Sequence, residues 1–186
     1  MSNLISKSCL IHHPGTADAA TKALYIGVKA QYHQGYLTLR YEVQGNIGNL
    51  LIPELKPSTK TDELWQHTCF EAFIAVVEEA PYHEFNFSPS SQWAAYGFDD
   101  YRARNKWQAK QAPAIHFVRT DHTLVLTAVI SEIDLPDNPH NQPYRLGLTA
   151  VLETRADALT YWALFHPSGK PNFHHRNGFT LSLNLT

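Results

Sequence analysis

Polar and aromatic side chains alternate along the segment 82–89, and this alternation is the clearest indication of chemistry in the chain. The two-residue period of a β-strand places Glu84 and Asn86 on one face and Phe85 and Phe87 on the other. A strand of this kind packs its aromatic side on a core and presents an acid and an amide on its other side. The segment therefore predicts a surface that holds a polar ligand.

Two neighbouring segments extend this predicted surface. Segment 64–77 alternates in the same way and carries one acid among apolar residues, and segment 92–98 follows after a turn. If the three segments form adjacent antiparallel strands, one surface would carry the side chains of Glu71, Glu84, Asn86, Trp65 and Trp93. We therefore expect acids and an amide to lie beside indole rings.

The two glutamates are unusual because each is an acid inside an otherwise apolar strand. A buried carboxylate must be paired or hydrogen-bonded, or it takes up a proton. Arg102 and Arg40 are candidate partners, so an internal Glu–Arg network that fixes strand register is one alternative to ligand binding. Catalysis is another, because Glu71 and Glu84 on neighbouring strands could lie at the separation of about 5–9 Å that glycosidases use.

Histidines near the end of the chain raise metal chemistry as a further alternative. His166 and His174 lie on either side of a proline-containing turn, and with Glu71 or His67 they could form a facial set for iron or zinc. No compact motif such as His-x-His supports this set, and histidines that hydrogen-bond within a loop are the simpler interpretation. Because Met1 is the only methionine, haem with Met–His ligation is excluded, whereas bis-His ligation remains open. We assign no cofactor.

The composition excludes several functional classes. The 186 residues are 44% hydrophobic and 17% charged, which predicts a well-formed core. A net charge of −2 gives no reason to expect nucleic acid or an anionic membrane as partner. No apolar run approaches the roughly 20 residues that span a bilayer, and no secretory signal is visible, so we expect a cytoplasmic protein. Cys9 and Cys69 are expected to be free thiols, and the oligomeric state is left open.

Alternating runs separated by turn signals predict about ten strands and no amphipathic helix. The predicted strands are 23–32, 36–43, 50–52, 64–77, 82–89, 92–98, 114–119, 123–130, 144–152, 159–164 and 179–185. The polar stretch 99–112 is predicted to be the longest loop and a candidate lid over the polar surface. We therefore expect residues 1–186 to form a single all-β domain, an antiparallel β-sandwich or jelly roll.

Several sequence strings carry a resemblance to a known family. They are Asp62–Glu71, Tyr82–Pro89, Trp93–Tyr96, Phe98–Arg102, Tyr161–Pro167 and Phe173–His175. Together they resemble the bacterial DOMON-like proteins, which are relatives of the family 9 carbohydrate-binding modules. The resemblance implies a jelly roll in which two aromatic side chains clamp a terminal sugar while polar and charged groups bond its hydroxyls.

By this resemblance, Trp65 and Glu71 match one aromatic side chain and its carboxylate, and Trp162 matches the second aromatic. The broader group also includes haem binders. In this chain Asn172 stands where an acid would be expected before Phe173, which argues against a catalytic aspartate there.

The sequence thus predicts a non-catalytic binder of a small polar ligand, a saccharide or sugar-containing metabolite. The predicted ligand-binding residues are Trp65, Glu71, Glu84, Asn86, Trp93, Arg102, Trp162, His166 and His174. Two alternatives remain open. One is a metal- or haem-dependent protein or enzyme that uses His166, His174 and Glu71, and the other is a protein-interaction module without a small ligand.

Overall fold

A computed structural model describes residues 4–16, 19–167 and 169–184. Their regular structure consists of β-strands and short 3-10 turns. The strands are β1 Leu4–His12, β2 Tyr25–His33, β3 Tyr36–Gln44, β4 Cys69–Val76, β5 Tyr82–Phe87, β6 Trp93–Asp100, β7 Ala103–Arg104, β8 Ala114–Arg119, β9 Thr123–Ser131, β10 Tyr144–Glu153, β11 Leu159–Ala163 and β12 Leu181–Leu183. The predicted all-β, antiparallel fold is confirmed.

Eleven of the twelve strands follow one hydrogen-bonded path that folds into two layers, and β12 pairs with β10 beside this path. Sheet A has the order β1-β2-β3-β9-β8. Sheet B has the order β7-β6-β5-β4-β10-β11, with β12 pairing to the first residues of β10. Strand β1 joins the layers, because most of its length pairs with β2 while Ile11 and His12 pair with β11. Every pairing is antiparallel, as expected for a β-sandwich.

Alternate residues of both sheets meet in the core between the layers. In sheet A the inward side chains include Leu39 and Tyr41, and in sheet B they include Phe70, Ile74 and Phe85. Tyr41 also links the layers, since its buried hydroxyl donates a hydrogen bond of 2.7 Å to the backbone carbonyl of Glu71. This bond anchors the strand that carries one of the predicted site residues.

The outer face of sheet B is also covered, which is uncommon for an antiparallel sheet. A second cluster lies there, formed by Leu64, Cys69, Phe73, Ala75, Tyr82, Ala94, Tyr96, Phe98 and Phe179, with Phe173 packed against it. Residues 171–180, which we call the C-terminal strap, bring Phe173 and Phe179 onto this face. Gly147 permits the close approach, because a Cβ atom there would lie 2.6 Å from Cδ1 of Phe179.

Element boundaries differ from the predicted ones in a few places. Residues 64–66 form a 3-10 turn rather than the start of a strand, and 50–52 contributes only an isolated bridge from Leu50 to Thr154. The sequence did not predict β1, and it placed β7 inside a loop. The last strand ends at Leu183, and Leu185, to which it was predicted to run, lies outside the described residues.

Within the described ranges, no helix is long or apolar enough to cross a bilayer. The cytoplasmic location and the DOMON-like resemblance stay predictions.

The Tyr41 hydroxyl provides a test of how the two layers are tied together. Replacing Tyr41→Phe removes a buried hydrogen bond and leaves the Glu71 carbonyl without this donor, so the free energy of unfolding should fall by about 1–2 kcal/mol. Tyr36→Phe, on the same strand but half exposed, is the matched control and should change it by less than about 0.5 kcal/mol. Urea denaturation monitored by tryptophan fluorescence measures both. Equal effects of the two variants would contradict a special role for Tyr41.

Candidate ligand-binding site

A pocket of about 270 Å³ opens on the outer face of sheet B, between the turn Leu64–Gln66 and the C-terminal strap. Its lining residues are Trp65, Glu71, Glu84, Arg102, Val151, Tyr161, Pro171, Phe173 and His174. Pockets for drug-sized molecules usually measure about 300–1,000 Å³. This pocket therefore has the size for one small molecule rather than a length of polymer.

Strand register brings the two glutamates and the amide together. Glu71 on β4 lies directly opposite Asn86 on β5, and Glu84 lies opposite Phe73, two residues along the same face. All three side chains are buried. The juxtaposition is a consequence of the two-residue period in both strands, because the opposite side chains enter the core between the sheets.

Burial keeps the two carboxyl groups protonated over an unusual pH range. Burial, followed by the charge of Glu84, raises the pKa of Glu71 well above its usual value. Burial also raises the pKa of Glu84 to about 7, although the hydrogen bond from Asn86 opposes this change. Thr149 donates to Glu71 at 3.4 Å and Asn86 donates to Glu84 at 2.7 Å.

The alternative of an internal Glu–Arg network is not realised around these carboxyl groups. Arg40 pairs with Glu42 at 2.6 Å on the other sheet. Arg102 lines the pocket, but in the described part of the chain neither Glu71 nor Glu84 has a lysine or arginine nitrogen within 4.0 Å. Neither acid therefore forms a direct ion pair with a lysine or arginine, although the charges of Arg102 and Arg104 oppose the effect of burial on the pKa of Glu84.

His174 connects the C-terminal strap to Glu84. Its Nδ1 atom lies 2.8 Å from the Tyr82 hydroxyl, which itself accepts a 3.1 Å bond from the backbone N–H of Arg102. Its Nε2 atom lies 3.7 Å from Oε2 of Glu84. Burial, followed by the charge of Arg102, lowers the pKa of His174 to about 4. Although the distance fits an ion pair, both pKa changes favour the uncharged forms, so at pH 6 the two groups form a neutral acid–base pair.

Trp65 and Tyr161 provide aromatic surface at the pocket. Trp65 lies on the 3-10 turn with 46% of its surface exposed, as a ligand-stacking side chain requires. Tyr161, on β11, has its ring 5.9 Å from that of Phe173 on the strap. Neither Tyr161 nor Phe173 was predicted as a site residue. The alternation within β11 could have indicated Tyr161, whereas the strap has no periodicity that would indicate Phe173.

The structure corrects the predicted position of Trp162. This side chain is only 3% exposed and lies in the core between the sheets, where its indole N–H donates to Thr160. The reason is the two-residue alternation of β11. Trp162 pairs with the core residue Ala150, so its neighbour Tyr161 faces the opposite side, where the pocket lies. The second aromatic of the pocket is therefore one residue earlier than expected.

Trp93 and His166 also lie away from the pocket. Trp93 pairs with Phe87, a core residue, and is buried beside it. The Nε2–H of His166 donates a 2.9 Å hydrogen bond to the backbone carbonyl of Ile11, and the His166 ring packs edge-on against His13. The proposed metal set of His166, His174 and Glu71 is therefore not assembled. Among the residues that the structure describes, no three His, Cys, Asp or Glu side chains are placed to share a metal ion.

The predicted lid contributes one residue to the pocket. Arg102 lies at its edge in a left-handed backbone conformation, with φ of 55°. Farther along the same stretch, Trp107 stacks on His83 at 3.8 Å between ring centroids and packs against the core. The stretch after Arg102 thus does not cover the pocket.

Comparison with solved structures finds the same fold in one protein described as carbohydrate-binding and in carbohydrate-binding modules of family 9. A putative carbohydrate-binding protein from Bacteroides uniformis aligns with a TM-score of 0.68 and 13% identity, over 95% of this chain and 85% of that one. A family 9 carbohydrate-binding module from Caldicellulosiruptor kristjanssonii in complex with cellotriose aligns with a TM-score of 0.56 and 12% identity, over 88% and 76%. A module of the same family and organism in complex with glucose aligns with a TM-score of 0.54 and 11% identity, over 81% of this chain and 72% of that one.

No family model matches the chain, and no curated protein matches it. At these identities the structural similarity defines the fold alone. The chain has the β-sandwich fold that the family 9 carbohydrate-binding modules share.

The opposite titrations of Glu84 and His174 predict a specific pH dependence of stability. The pKa of Glu84 rises from 4.5 to about 7 on folding, so its contribution to stability is lost as the pH rises through that range. The pKa of His174 falls from 6.5 to about 4, so its contribution is lost as the pH falls through that range. Between about pH 4.5 and 6.5 the two effects partly cancel.

Glu84→Gln should therefore flatten the decline in unfolding free energy between pH 5 and 8, and His174→Gln should steepen it. A change of about 1.4 kcal/mol per pKa unit places the Glu84 effect on the order of 3 kcal/mol across this range. Denaturant midpoints at several pH values give the slope of unfolding free energy against pH for wild type, Glu84→Gln and His174→Gln. Parallel curves for wild type and Glu84→Gln would show that Glu84 titrates normally in the folded protein.

Proposed function

We propose that residues 1–186 form one domain that binds a saccharide or sugar-containing metabolite, without catalysis, in the pocket on sheet B. The observation that carries the proposal is the half-exposed Trp65 beside two buried and largely protonated carboxyl groups, Glu71 and Glu84. The pocket thus combines an open aromatic surface with two carboxyl groups that burial favours in the protonated form, and with the cation of Arg102 at its edge.

These two kinds of surface match the two sides of a sugar ring. A pyranose has C–H faces that pack on aromatic rings, for which Trp65 and Tyr161 are placed. Its hydroxyls both donate and accept hydrogen bonds, and a protonated carboxyl group does the same, unlike a carboxylate, which only accepts. Glu71 and Glu84 can therefore bond hydroxyls in either direction, while Arg102 and His174 supply further polar contacts at the edge.

The structural neighbours support this proposal. Two of them hold cellotriose and glucose, and a third is described as carbohydrate-binding. Their common fold makes a sugar the first ligand to test. The pocket volume of about 270 Å³ favours a single ring or a short metabolite.

The geometry gives less support to the alternatives. Glycoside hydrolysis needs one ionised carboxylate as nucleophile or base, whereas burial raises the pKa of both Glu71 and Glu84 and so disfavours this charge. The metal-dependent alternative needs His166, which lies elsewhere. An interaction module would not need an open pocket with polar groups at its base.

Removal of the exposed indole tests the stacking role. Trp65→Ala should weaken binding of glucose or cellotriose at least tenfold, because the indole supplies much of the apolar contact with the ring. Isothermal titration calorimetry measures the affinity. Phe165→Ala is the matched control, since Phe165 is equally exposed and does not line the pocket; it should leave binding unchanged.

No heat of binding with any sugar of a monosaccharide and nucleotide-sugar panel would contradict the proposal, as would equal affinities of wild type and Trp65→Ala.

A pair of variants on β11 separates the pocket face from the core face. Tyr161→Ala should weaken sugar binding while changing stability little, because this side chain is only partly buried. Trp162→Phe should lower the free energy of unfolding by about 1–3 kcal/mol through a cavity and a lost hydrogen bond, and should leave the affinity within about twofold. Calorimetry and urea denaturation on both proteins give the comparison. Loss of affinity in Trp162→Phe alone would instead place the sugar nearer the core side of β11.

A further inference from the structure

The outer face of sheet A carries a row of cations that strand register places side by side. Lys7 on β1 lies directly opposite Lys29 on β2, and Lys29 lies directly opposite Arg40 on β3. Neighbouring strands are about 4.8 Å apart, so three positive charges emerge from backbone positions within about 10 Å. All three point away from the core, because the residues that alternate with them, such as Val28 and Leu39, are buried in it.

This arrangement is unfavourable unless an anion offsets it. Like charges directly opposite each other on a sheet destabilise it. Arg40 has a partner in Glu42, at 2.6 Å, and Glu42 is further engaged by Gln44 at 2.8 Å. Within the described ranges, neither Lys7 nor Lys29 has a carboxylate within 4.0 Å. The row therefore retains two uncompensated positive charges on a protein whose net charge is −2.

The row borders a shallow, open cavity on the surface of sheet A. This cavity of about 330 Å³ is lined by the three cations together with Tyr25, Gly27 and Gln44, and by Glu42 at one side. The Tyr25 ring folds over Gly27, where a Cβ atom would lie 3.3 Å from Cε1 of the ring. Tyr25 remains 52% exposed, so an aromatic wall stands beside the cations.

We propose that this cavity on sheet A, which we call the cationic cleft, binds an oligophosphate anion. A chain of phosphoryl groups carries several charges in a line and so matches three cations in a row better than a single monovalent anion does. Ammonium and guanidinium groups are the side chains that hold phosphate oxygens, and the guanidinium does so with a planar fork of donors. The phosphate chain can be free or part of a nucleoside phosphate, and the exposed Tyr25 ring is placed to stack on a base in the second case.

The cationic cleft is separate from the pocket proposed for sugars. It lies on the outer face of sheet A, whereas the other pocket lies on the outer face of sheet B, and the two share no lining residue. The inference therefore does not depend on sugar binding.

Calorimetry at low ionic strength with inorganic tripolyphosphate and with ATP tests the proposal. Wild type should bind tripolyphosphate, and the double variant Lys7→Gln/Lys29→Gln should bind it at least tenfold more weakly. The double variant Lys56→Gln/Lys60→Gln is the matched control, because it removes the same charge from exposed lysines outside the cleft and should change the affinity less than twofold. Trp65→Ala should bind tripolyphosphate as wild type does.

The Tyr25→Ala variant distinguishes the two sources of phosphate. If wild type binds ATP more tightly than tripolyphosphate, and Tyr25→Ala binds ATP only as tightly as tripolyphosphate, the cleft is assigned to a nucleoside phosphate. If wild type binds both ligands equally and Tyr25→Ala changes neither affinity, the cleft is assigned to the phosphate chain alone. Without added anion, the double variant Lys7→Gln/Lys29→Gln should unfold at the same temperature as wild type or at a higher one, because it removes the repulsion between the two lysines. No binding by wild type, or equal weakening by both double variants, would overturn the proposal.

Discussion

The carboxyl groups of Glu71 and Glu84 lie beside Asn86 and Thr149 in a layer built mainly from aromatic and aliphatic side chains, and this placement constrains the whole of sheet B. Every residue of β4 is buried, because the core covers one face of the strand and the C-terminal strap and its neighbours cover much of the other. A complete cover would bury two acids with few partners, at a large cost in free energy. The opening above Glu71 and Glu84 reduces this cost, and a ligand with several hydroxyls would reduce it further by completing their hydrogen bonds.

The same constraint links the protonation of the site to the position of the strap. His174 is held by Tyr82, whose ring stacks on Phe98 at 4.7 Å, and it faces Glu84 through its other nitrogen. Because burial disfavours both charged forms, the pair is most stable as a neutral carboxylic acid and a neutral imidazole. A proton that leaves Glu84 or joins His174 places a charge under the strap, so any movement of the strap and the state of the pair must influence each other.

The sequence predicted the parts of this arrangement that follow from strand periodicity. Parity alone placed Glu71, Glu84 and Asn86 on one face, and the structure brings them together. Trp93 was predicted from the expected alignment of three adjacent strands and Trp162 from the family resemblance, and both enter the core. The strap residues Phe173 and His174 have no periodic pattern, so only tertiary packing could place them. Strand β1 was missed because its polar residues mask the alternation of a strand with one exposed face.

The two outer faces of the sandwich differ in how far they are covered, and this difference underlies the two proposed sites. Sheet A keeps a solvated outer face, where strand register places charged side chains in a row. Sheet B has its outer face covered, so that its acids are driven toward neutrality and its aromatic rings form the walls of a pocket. An ionic ligand binds most favourably where the protein side chains keep their charge. An uncharged polar ligand binds most favourably where burial has already favoured the neutral form of those side chains. The covering of one sheet and not the other thus separates the proposed anion-binding surface on sheet A from the proposed sugar pocket on sheet B.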